Sequence, residues 1–408
     1  MLGKNFNILL LGQIISLLGN GVQRFALSLY ILDLTGSGRV FSAVLAISMI
    51  PYVLLAPLAG EMADHFDRKK NMIVLDFISA ALCLVFVCLT HMETGSVFYA
   101  GILIFLLSVI ACLYSPSVTA SIPQVVGKEQ LLRANALVTQ VSSLANFIGP
   151  IIAGILYGNI GIAGIVMING ISFFLSAIME LFLKLPDRRT KKSKYLLKFK
   201  EGFRGMYHTA KELHKKTPVV LAIISSYGLY NILIYPVISV FTPYYIRIVL
   251  GMSATLYGVL EGVMLFGMLF GSVLLAVFPT RFQIQSIKRI LFLMPTSVLL
   301  IAGMTVVLKG GFGQSIFLAL CGAIIMFALG LSNVMTLSYI QRVVAVDSLG
   351  RTSALSTAVA TMTIPIGQLL FGWVMDSKVP VFIWLLPVAL LCFAVSYRLG
   401  KRLALCHE

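Results

Sequence analysis

The chain has 408 residues, of which 59% are hydrophobic and 11% are charged, and its formal net charge is +16. In a soluble globular domain about a quarter of the residues are charged, so the composition excludes that class and indicates a membrane protein. The excess of positive charge is also typical of nucleic-acid binders. Here the Lys and Arg residues are concentrated in alternate loops, which gives the charge a membrane cause, and no nucleic-acid partner is expected.

Apolar runs of about 20 residues recur along the whole chain, and each is long enough to cross a bilayer as a helix. They are continuous, whereas the strands of a membrane β-barrel alternate over about ten residues, so helices are predicted. The predicted fold class is an all-α membrane protein with twelve transmembrane helices. The predicted spans are 6–32, 41–63, 71–90, 96–121, 134–158, 164–184, 218–246, 255–279, 290–308, 315–339, 353–375 and 381–399.

The charges of the loops predict the orientation in the membrane. Alternate loops and the two ends hold 26 of the 31 Lys and Arg residues, while the opposite loops hold Arg39, Arg247, Lys309 and Lys378. The positive-inside rule therefore places both termini in the cytoplasm of a multi-pass protein of the bacterial cytoplasmic membrane. The first span lacks a small-residue cleavage site, so we expect it to stay in the mature protein.

The first span carries a polar stripe at helical spacing, which should face a central cavity. Its members are Gln13, Ser16, Asn20, Gln23, Arg24 and Ser28. Ionisable groups inside spans need a cavity or a partner, and Glu261 in the eighth span is the second such group. We hypothesise that Glu261 carries a proton or recognises a cation, and that Arg24 is its partner or an anion contact. A fixed structural ion pair is the alternative. Glu180, Asp33 and Asp76 are expected to serve orientation near span ends.

The seventh span carries Tyr227, Asn231 and Tyr235 at four-residue steps, with Tyr230 adjacent. Aromatic rings with a few polar tips suit a large amphiphilic solute, although packing against neighbouring helices explains the pattern equally well. Asn333 in the tenth span is a further candidate for the cavity. Tyr244 and Tyr245 are interpreted as interfacial anchors.

The cysteines and histidines predict no metal, cofactor or disulfide. None of the six cysteines lies in a predicted outer loop, and Cys83 and Cys88 are poorly spaced for shared ligation. All five histidines lie in loops, the connector or the tail, and no phosphate-binding loop is present, so neither an intramembrane enzyme nor ATP hydrolysis is expected.

A basic stretch, 185–217, divides the chain into an N-terminal six-helix bundle at 1–184 and a C-terminal one at 218–408. Apolar residues at helical spacing in this connector predict an amphipathic helix on the anionic inner leaflet, with partner binding or regulation as the alternative. They are Phe199, Phe203, Met206, Tyr207, Ala210 and Leu213.

The two halves resemble each other at an offset of 218 residues. Val125, Val126, Leu131, Arg133, Ala136 and Leu137 recur as Val343, Val344, Leu349, Arg351, Ala354 and Leu355, and Glu129 corresponds to Asp347. Gly149 and Gly154 map onto Gly367 and Gly372 by the same offset. Such repetition is typical of transporters built from duplicated six-helix units, whose substrate sites lie near the midplane.

The loop after the second span, Gly60 to Lys70, resembles the signature loop of the major facilitator superfamily. It departs from the usual pattern at His65 and Asp67. Gly149 and Pro150 in the fifth span are similar to a signature of the superfamily's exporters. With Lys200, Glu201, Gly202, Gly350 and Arg351, the whole chain resembles the macrolide-efflux and siderophore-exporter subgroup.

This resemblance implies an efflux transporter of the cell membrane that exports a drug-like or siderophore-like amphiphile by alternating access. It also implies a role in multidrug resistance. It implies a gating role for Gly60, Asp64, Arg68, Lys69, Gly149, Pro150 and Arg351. Proton antiport is expected, although the fourth span lacks the basic residue that many proton-coupled exporters carry. A monomer among membrane lipids is expected. A flippase for lysophospholipid or another lipid, with the same fold, is the alternative.

Overall fold

The computed structural model describes residues 3–56, 58–59, 62, 66–91, 97–185, 199–278, 281–282, 284, 287–307, 310–377 and 379–404. In this part of the chain the secondary structure is helical and no strand occurs. The helices are α1 (Lys4–Thr35), α2 (Gly38–Leu54), α3 (Arg68–His91), α4 (Val97–Val125), α5 (Leu131–Leu181), α6 (Phe199–Lys216), α7 (Pro218–Leu233), α8 (Ala254–Val277), α9 (Ile287–Val307), α10 (Phe312–Val343), α11 (Val346–Met375) and α12 (Val381–Ala404).

The helices account for the twelve predicted spans. Ten are long and apolar enough to cross a bilayer, and α2 is a shorter apolar helix of 17 described residues. The helix α5 has 51 residues and is interrupted at Gly161, whose φ of 66° is a left-handed conformation that glycine adopts without strain. It therefore contains two spans, broken within the predicted gap between 158 and 164. The all-α fold with twelve spans is confirmed.

Two π-helical segments, Val237–Phe241 and Tyr245–Val249, continue the chain beyond α7 to the end of the seventh span. Pro236 immediately precedes the first of them, and Pro243 lies in the short α-helical turn between them. Proline lacks a backbone donor and disturbs the regular helical ladder. The span therefore stays helical, but two π-helical segments replace its α-helical hydrogen bonds.

The chain forms two compact units. The first contains Met1–Thr35, Ile47–Lys198 and Ser253–Val259, and the second contains Gly36–Ala46, Phe199–Met252 and Leu260–Glu408. In the first unit α1 and α3 pack mainly against α5. In the second unit α9 packs against α10 and α12, and α11 packs against α7. The predicted division into bundles at 184 and 218 stays a prediction.

The glycines of the internal repeat occupy corresponding contacts within the two units. A Cβ built on Gly149 of α5 would lie 3.1 Å from the backbone of Gly21 in α1, and one on Gly367 of α11 would lie 2.6 Å from the carbonyl of Ile232 in α7. Gly154 likewise contacts Gly258 of α8, and Gly372 contacts Gly38 of α2. Small residues let helix backbones approach closely. The repeated glycines are therefore positions where a side chain does not fit.

Candidate functional site

The first unit encloses a cavity of about 410 Å³ between α1, α2, α3, α4 and α5. Five residues of the predicted polar stripe on α1 line it: Gln13, Ser16, Asn20, Gln23 and Arg24. Other polar groups on the wall include Tyr52, Asp76, Tyr114 and Asn146. The rest of the wall is largely apolar. A membrane-embedded cavity of this size with a few convergent polar groups suits a small amphiphilic molecule.

Arg24 is exposed and lies at one side of this cavity. Its Nη2 donates a hydrogen bond to Oδ1 of Asn146 at 3.2 Å, and Asn146 is anchored to the carbonyl of Ser142. Tyr52 is close enough to Arg24 to interact with it electrostatically. Arg24 is the cation and Asp76 the carboxylate among the lining residues that the structure describes. The predicted pairing of Arg24 with Glu261 stays a prediction.

Gln23 and Asn20 belong to a polar cluster with α5. Nδ2 of Asn169 donates to Oε1 of Gln23 at 2.5 Å and to Oδ1 of Asn20 at 3.4 Å, and Sγ of Cys83 also approaches Oε1 of Gln23, at 3.6 Å. Gln23 is almost fully buried and its Nε2 has no partner among the described residues. The cluster therefore fixes α1 to α5 and leaves one amide donor unused.

A chain of hydrogen bonds runs from the cavity wall to Glu180. Nε2 of Gln13 donates to the Tyr114 hydroxyl at 2.8 Å, and that hydroxyl donates to Oε1 of Glu180 at 2.6 Å. The side chains of Glu180 and Asp76 are each only 2% exposed, and their expected role in orientation stays a prediction. The apolar composition of these spans gives no sign of buried carboxyl groups, but each group belongs to a polar stripe. Asn169, Ser176 and Glu180 share one face of α5, and Asp76, Ser79 and Cys83 share one face of α3. Those stripes were the available signal.

The aromatic group of α7 lies in the second unit. The Tyr227 and Tyr230 rings pack edge to face at 5.8 Å, and the half-buried Tyr227 accepts a hydrogen bond from Thr336 of α10 at 3.3 Å. Tyr230 is 1% exposed and its hydroxyl bonds Ser396 at 2.9 Å, so it packs within the unit. Asn231 makes a long contact of 3.5 Å to the Ala360 carbonyl. Tyr235 and Glu261 are half-buried, and Asn333 is exposed.

Two of the predicted gating residues, Gly60 and Asp64, lie outside the described residues, but the loop's basic end is described. Arg68 donates to the Ala120 carbonyl at 2.8 Å, and Lys69 donates to the Leu181 carbonyl at 2.7 Å. Oδ1 of Asp67 accepts from the Lys70 amide at 3.1 Å, which caps the start of α3. The acidic residue that departs from the family pattern thus has a local structural role.

Arg351, the counterpart of Arg133 in the internal repeat, is exposed at the start of α11 and lies within electrostatic range of Glu212 in the connector helix α6. Its charge acts on Glu212, which also accepts a hydrogen bond from Lys216 at 2.8 Å. The Lys216 hydrogen bond and charge, together with the weaker influence of Arg351 and His208, lower the pKa of Glu212. Arg351 thus couples the start of α11 to α6 by charge.

Ten described helices are long and apolar enough to cross a bilayer, and the first unit holds a cavity among its spans, an architecture typical of membrane transport proteins. The sequence model of the Major Facilitator Superfamily matches residues 9–367. The chain belongs to this superfamily, which consists of transporters and not of enzymes.

Individual relatives agree with this assignment. Macrolide efflux protein A of Streptococcus pyogenes is 24% identical over 402 residues, covering 94% of this chain and 93% of the relative. Multidrug efflux pump Tap of Mycobacterium bovis is 25% identical over 184 residues, 44% of each chain. A bacterial homologue of the iron transporter ferroportin in an inward-facing state covers both chains completely with a TM-score of 0.73 at 19% identity, which shows a shared fold.

Proposed function

We propose that the protein exports an amphiphilic small molecule, drug-like or siderophore-like, across the bacterial cytoplasmic membrane by alternating access coupled to proton antiport. The observation that carries the proposal is the cavity of the first unit, because it sets amide, hydroxyl and guanidinium groups of α1 in a largely apolar wall within the spans. The printed names of the relatives, a macrolide efflux protein and a multidrug efflux pump, support export of such molecules.

The chemistry of the wall favours a solute with a large apolar body and few polar groups. Apolar side chains such as Leu17, Ile104 and Phe173 supply area without direction, while Asn20, Arg24 and Asn146 supply donors and acceptors at one side. The aromatic face around Tyr227 and Tyr235 in the second unit is proposed to contribute in the same way. The termini are proposed to lie in the cytoplasm, so that substrate enters from that side or from the inner leaflet.

Glu261 is proposed as a coupling group, with Arg24 as its partner or as an anion contact. A carboxyl group within an apolar span is costly to keep charged unless a cation or a cavity compensates it, so its protonation can be linked to conformation. The Glu261 side chain on α8 is half-buried, so it is not sealed within the core of its unit.

Transport by the purified protein in proteoliposomes tests the proposal. Ethidium and erythromycin serve as drug probes, and a fluorescent lysophosphatidylcholine serves as the lipid probe, each with and without an imposed pH gradient. We expect gradient-driven movement of at least one drug probe and its loss in Glu261→Gln. Transfer of the lipid probe alone would instead assign the protein as a flippase.

Glu129→Gln is the matched control, since it makes the same chemical change at an exposed site in the short helical turn before α5. It should transport like the wild type. Unchanged gradient-driven export by Glu261→Gln would remove that residue from the mechanism, while absence of drug movement in the wild type would remove the export function itself.

A further inference from the structure

Two buried carboxyl side chains of the first unit have no role in the function proposed so far. Asp76 lies in the third turn of α3 and Glu180 lies at the end of α5, and each is 2% exposed. The two groups are near enough to repel each other electrostatically. They meet where α3 and α4 pack against α1 and α5.

Part of the site is already satisfied by hydrogen bonds. Oε1 of Glu180 accepts from the Tyr114 hydroxyl at 2.6 Å, and that hydroxyl is itself held by Nε2 of Gln13 at 2.8 Å. These hydrogen bonds hold the Glu180 carboxyl group in place through Oε1. They leave its other oxygen, Oε2, without a hydrogen bond among the described residues.

The remaining polar atoms are buried and unsatisfied. Oδ2 of Asp76, Oε2 of Glu180 and Oγ of Ser176 have no hydrogen-bond partner among the described residues. Ser176 is fully buried and lies beside both Asp76 and Tyr114. Buried polar atoms are nearly always paired, so two orphaned carboxyl oxygens on neighbouring side chains indicate a missing hydrogen.

The two carboxyl groups have no directly bonded basic partner among the described residues. Within the part of the chain that the structure describes, neither carboxyl group forms an ion pair with Lys, Arg or His. Two adjacent negative charges in a membrane interior, without a cation, are opposed by both desolvation and mutual repulsion. A single shared proton removes one charge and supplies a donor to the orphaned oxygens.

The titratable groups around the pair come from every element packed against it. Tyr114 of α4 contacts Glu180 directly, while Arg24 of α1 and Tyr52 of α2 line the same cavity as Asp76. Cys83 of α3 contacts Gln23, and Lys69 binds the Leu181 carbonyl at the end of α5. Arg24 is thus the cation in the shared cavity, and protonation of Asp76 changes the field that Arg24 and a bound substrate experience.

We propose that Asp76 and Glu180 form a proton-binding pair that exchanges its proton with the cavity through the side of Asp76 that lines it. The inference rests on the proposed function, because it names groups that carry the coupling proton. In the step, a hydronium ion in the cavity gives one proton to a carboxylate oxygen and becomes water, the pair holds the proton, and the proton later passes to a water molecule on the other face of the membrane to form hydronium again. The Gln13 and Tyr114 hydrogen bonds position Glu180 throughout.

Infrared difference spectroscopy on the purified full-length protein tests the pair without any substrate. We expect the wild type at neutral pH to show the carbonyl stretch of a protonated carboxyl group. This band should be lost in Asp76→Asn/Glu180→Gln and retained in Glu129→Gln, which changes an exposed carboxylate. An unchanged band in the double variant overturns the proposal, as does a band in the wild type that sodium removes at constant pH.

Transport of ethidium then separates this inference from the proposed function. Asp76→Asn and Glu180→Gln keep the size of each side chain, so both should retain counterflow exchange, which needs no gradient, and lose accumulation driven by a pH gradient. A variant that still accumulates ethidium as the wild type does contradicts the proton pair. If the wild type itself moves no drug probe, the proposed export function is contradicted. The infrared result still decides, independently of transport, whether the pair binds a proton.

Discussion

Asp376 at the end of α11 stabilises the start of α2 by accepting three hydrogen bonds. They come from the Ser37 hydroxyl at 2.5 Å, the Gly38 amide at 2.7 Å and the Arg39 amide at 3.2 Å. The first amides of a helix lack partners within the helix and attract negative charge. Asp376→Ala should therefore lower the free energy of unfolding by about 1.5–3 kcal/mol, the scale for hydrogen bonds to charged groups.

Thermal unfolding in detergent measures this effect, and Asp376→Asn is the matched variant. It keeps one carbonyl oxygen as an acceptor and removes the charge, so its loss should be smaller than that of Asp376→Ala. Equal stability of the wild type and both variants would show that the carboxylate does not cap α2.

Gly154 tests the close crossing of α5 and α8 at the level of one side chain. A Cβ at this position would lie 2.7 Å from the Ala254 carbonyl and 3.1 Å from Cα of Gly258. Gly154→Val therefore forces the helices apart and should cost about 1–3 kcal/mol, as overpacking does. Gly303→Ala in α9 is the control, since its Cβ meets nothing within 4 Å, and it should be neutral or stabilising by about 0.5–1 kcal/mol. The melting temperature should fall in Gly154→Val and stay the same or rise in Gly303→Ala.

At the scale of one helix, α6 shows how the connector is attached. Leu213 and Thr209 are buried in contacts with α7 and α11, while Tyr207 is 72% exposed. The predicted amphipathic helix is present, but part of its apolar side packs on the protein. The Tyr207 ring points away from the rest of the protein. The expected location of α6 on the inner lipid leaflet stays a prediction.

The stability of α6 should depend on pH through Glu212. Its pKa is lowered by the Lys216 hydrogen bond and charge. A lowered pKa in the folded state means that the contribution is present at neutral pH and is lost as the pH falls through the folded pKa. Hydrogen exchange of α6 should therefore accelerate on acidification in the wild type, and less so in Glu212→Gln. Equal acid sensitivity of the two proteins would contradict this role.

Over the whole molecule, the sequence predicted the fold well and the site only in part. Spans are set by apolar length and composition, which are local properties, and the break at Gly161 fell where the apolar pattern paused. The stripe on α1 was visible for the same reason. The sequence did not reveal that Asp76 and Glu180 form a pair, because the two residues are about a hundred positions apart and only tertiary packing brings them together. Asp64 lies outside the described residues, so the gating role stays a prediction.

If the predicted halves 1–184 and 218–408 move as separate bodies, the contact between α2 and α11, which lies within the second compact unit, opens during transport, and a reversible cross-link can test this. A Cβ built on Gly38 would lie 3.0 Å from Cβ of Met375, close to the separation of about 3.5–4.5 Å found across disulfides. Gly38→Cys/Met375→Cys should thus form a disulfide under oxidation, stop ethidium transport in proteoliposomes, and recover on reduction. Each single variant should transport under both conditions. Full transport by the quantitatively cross-linked protein would contradict movement of the halves 1–184 and 218–408 as separate bodies.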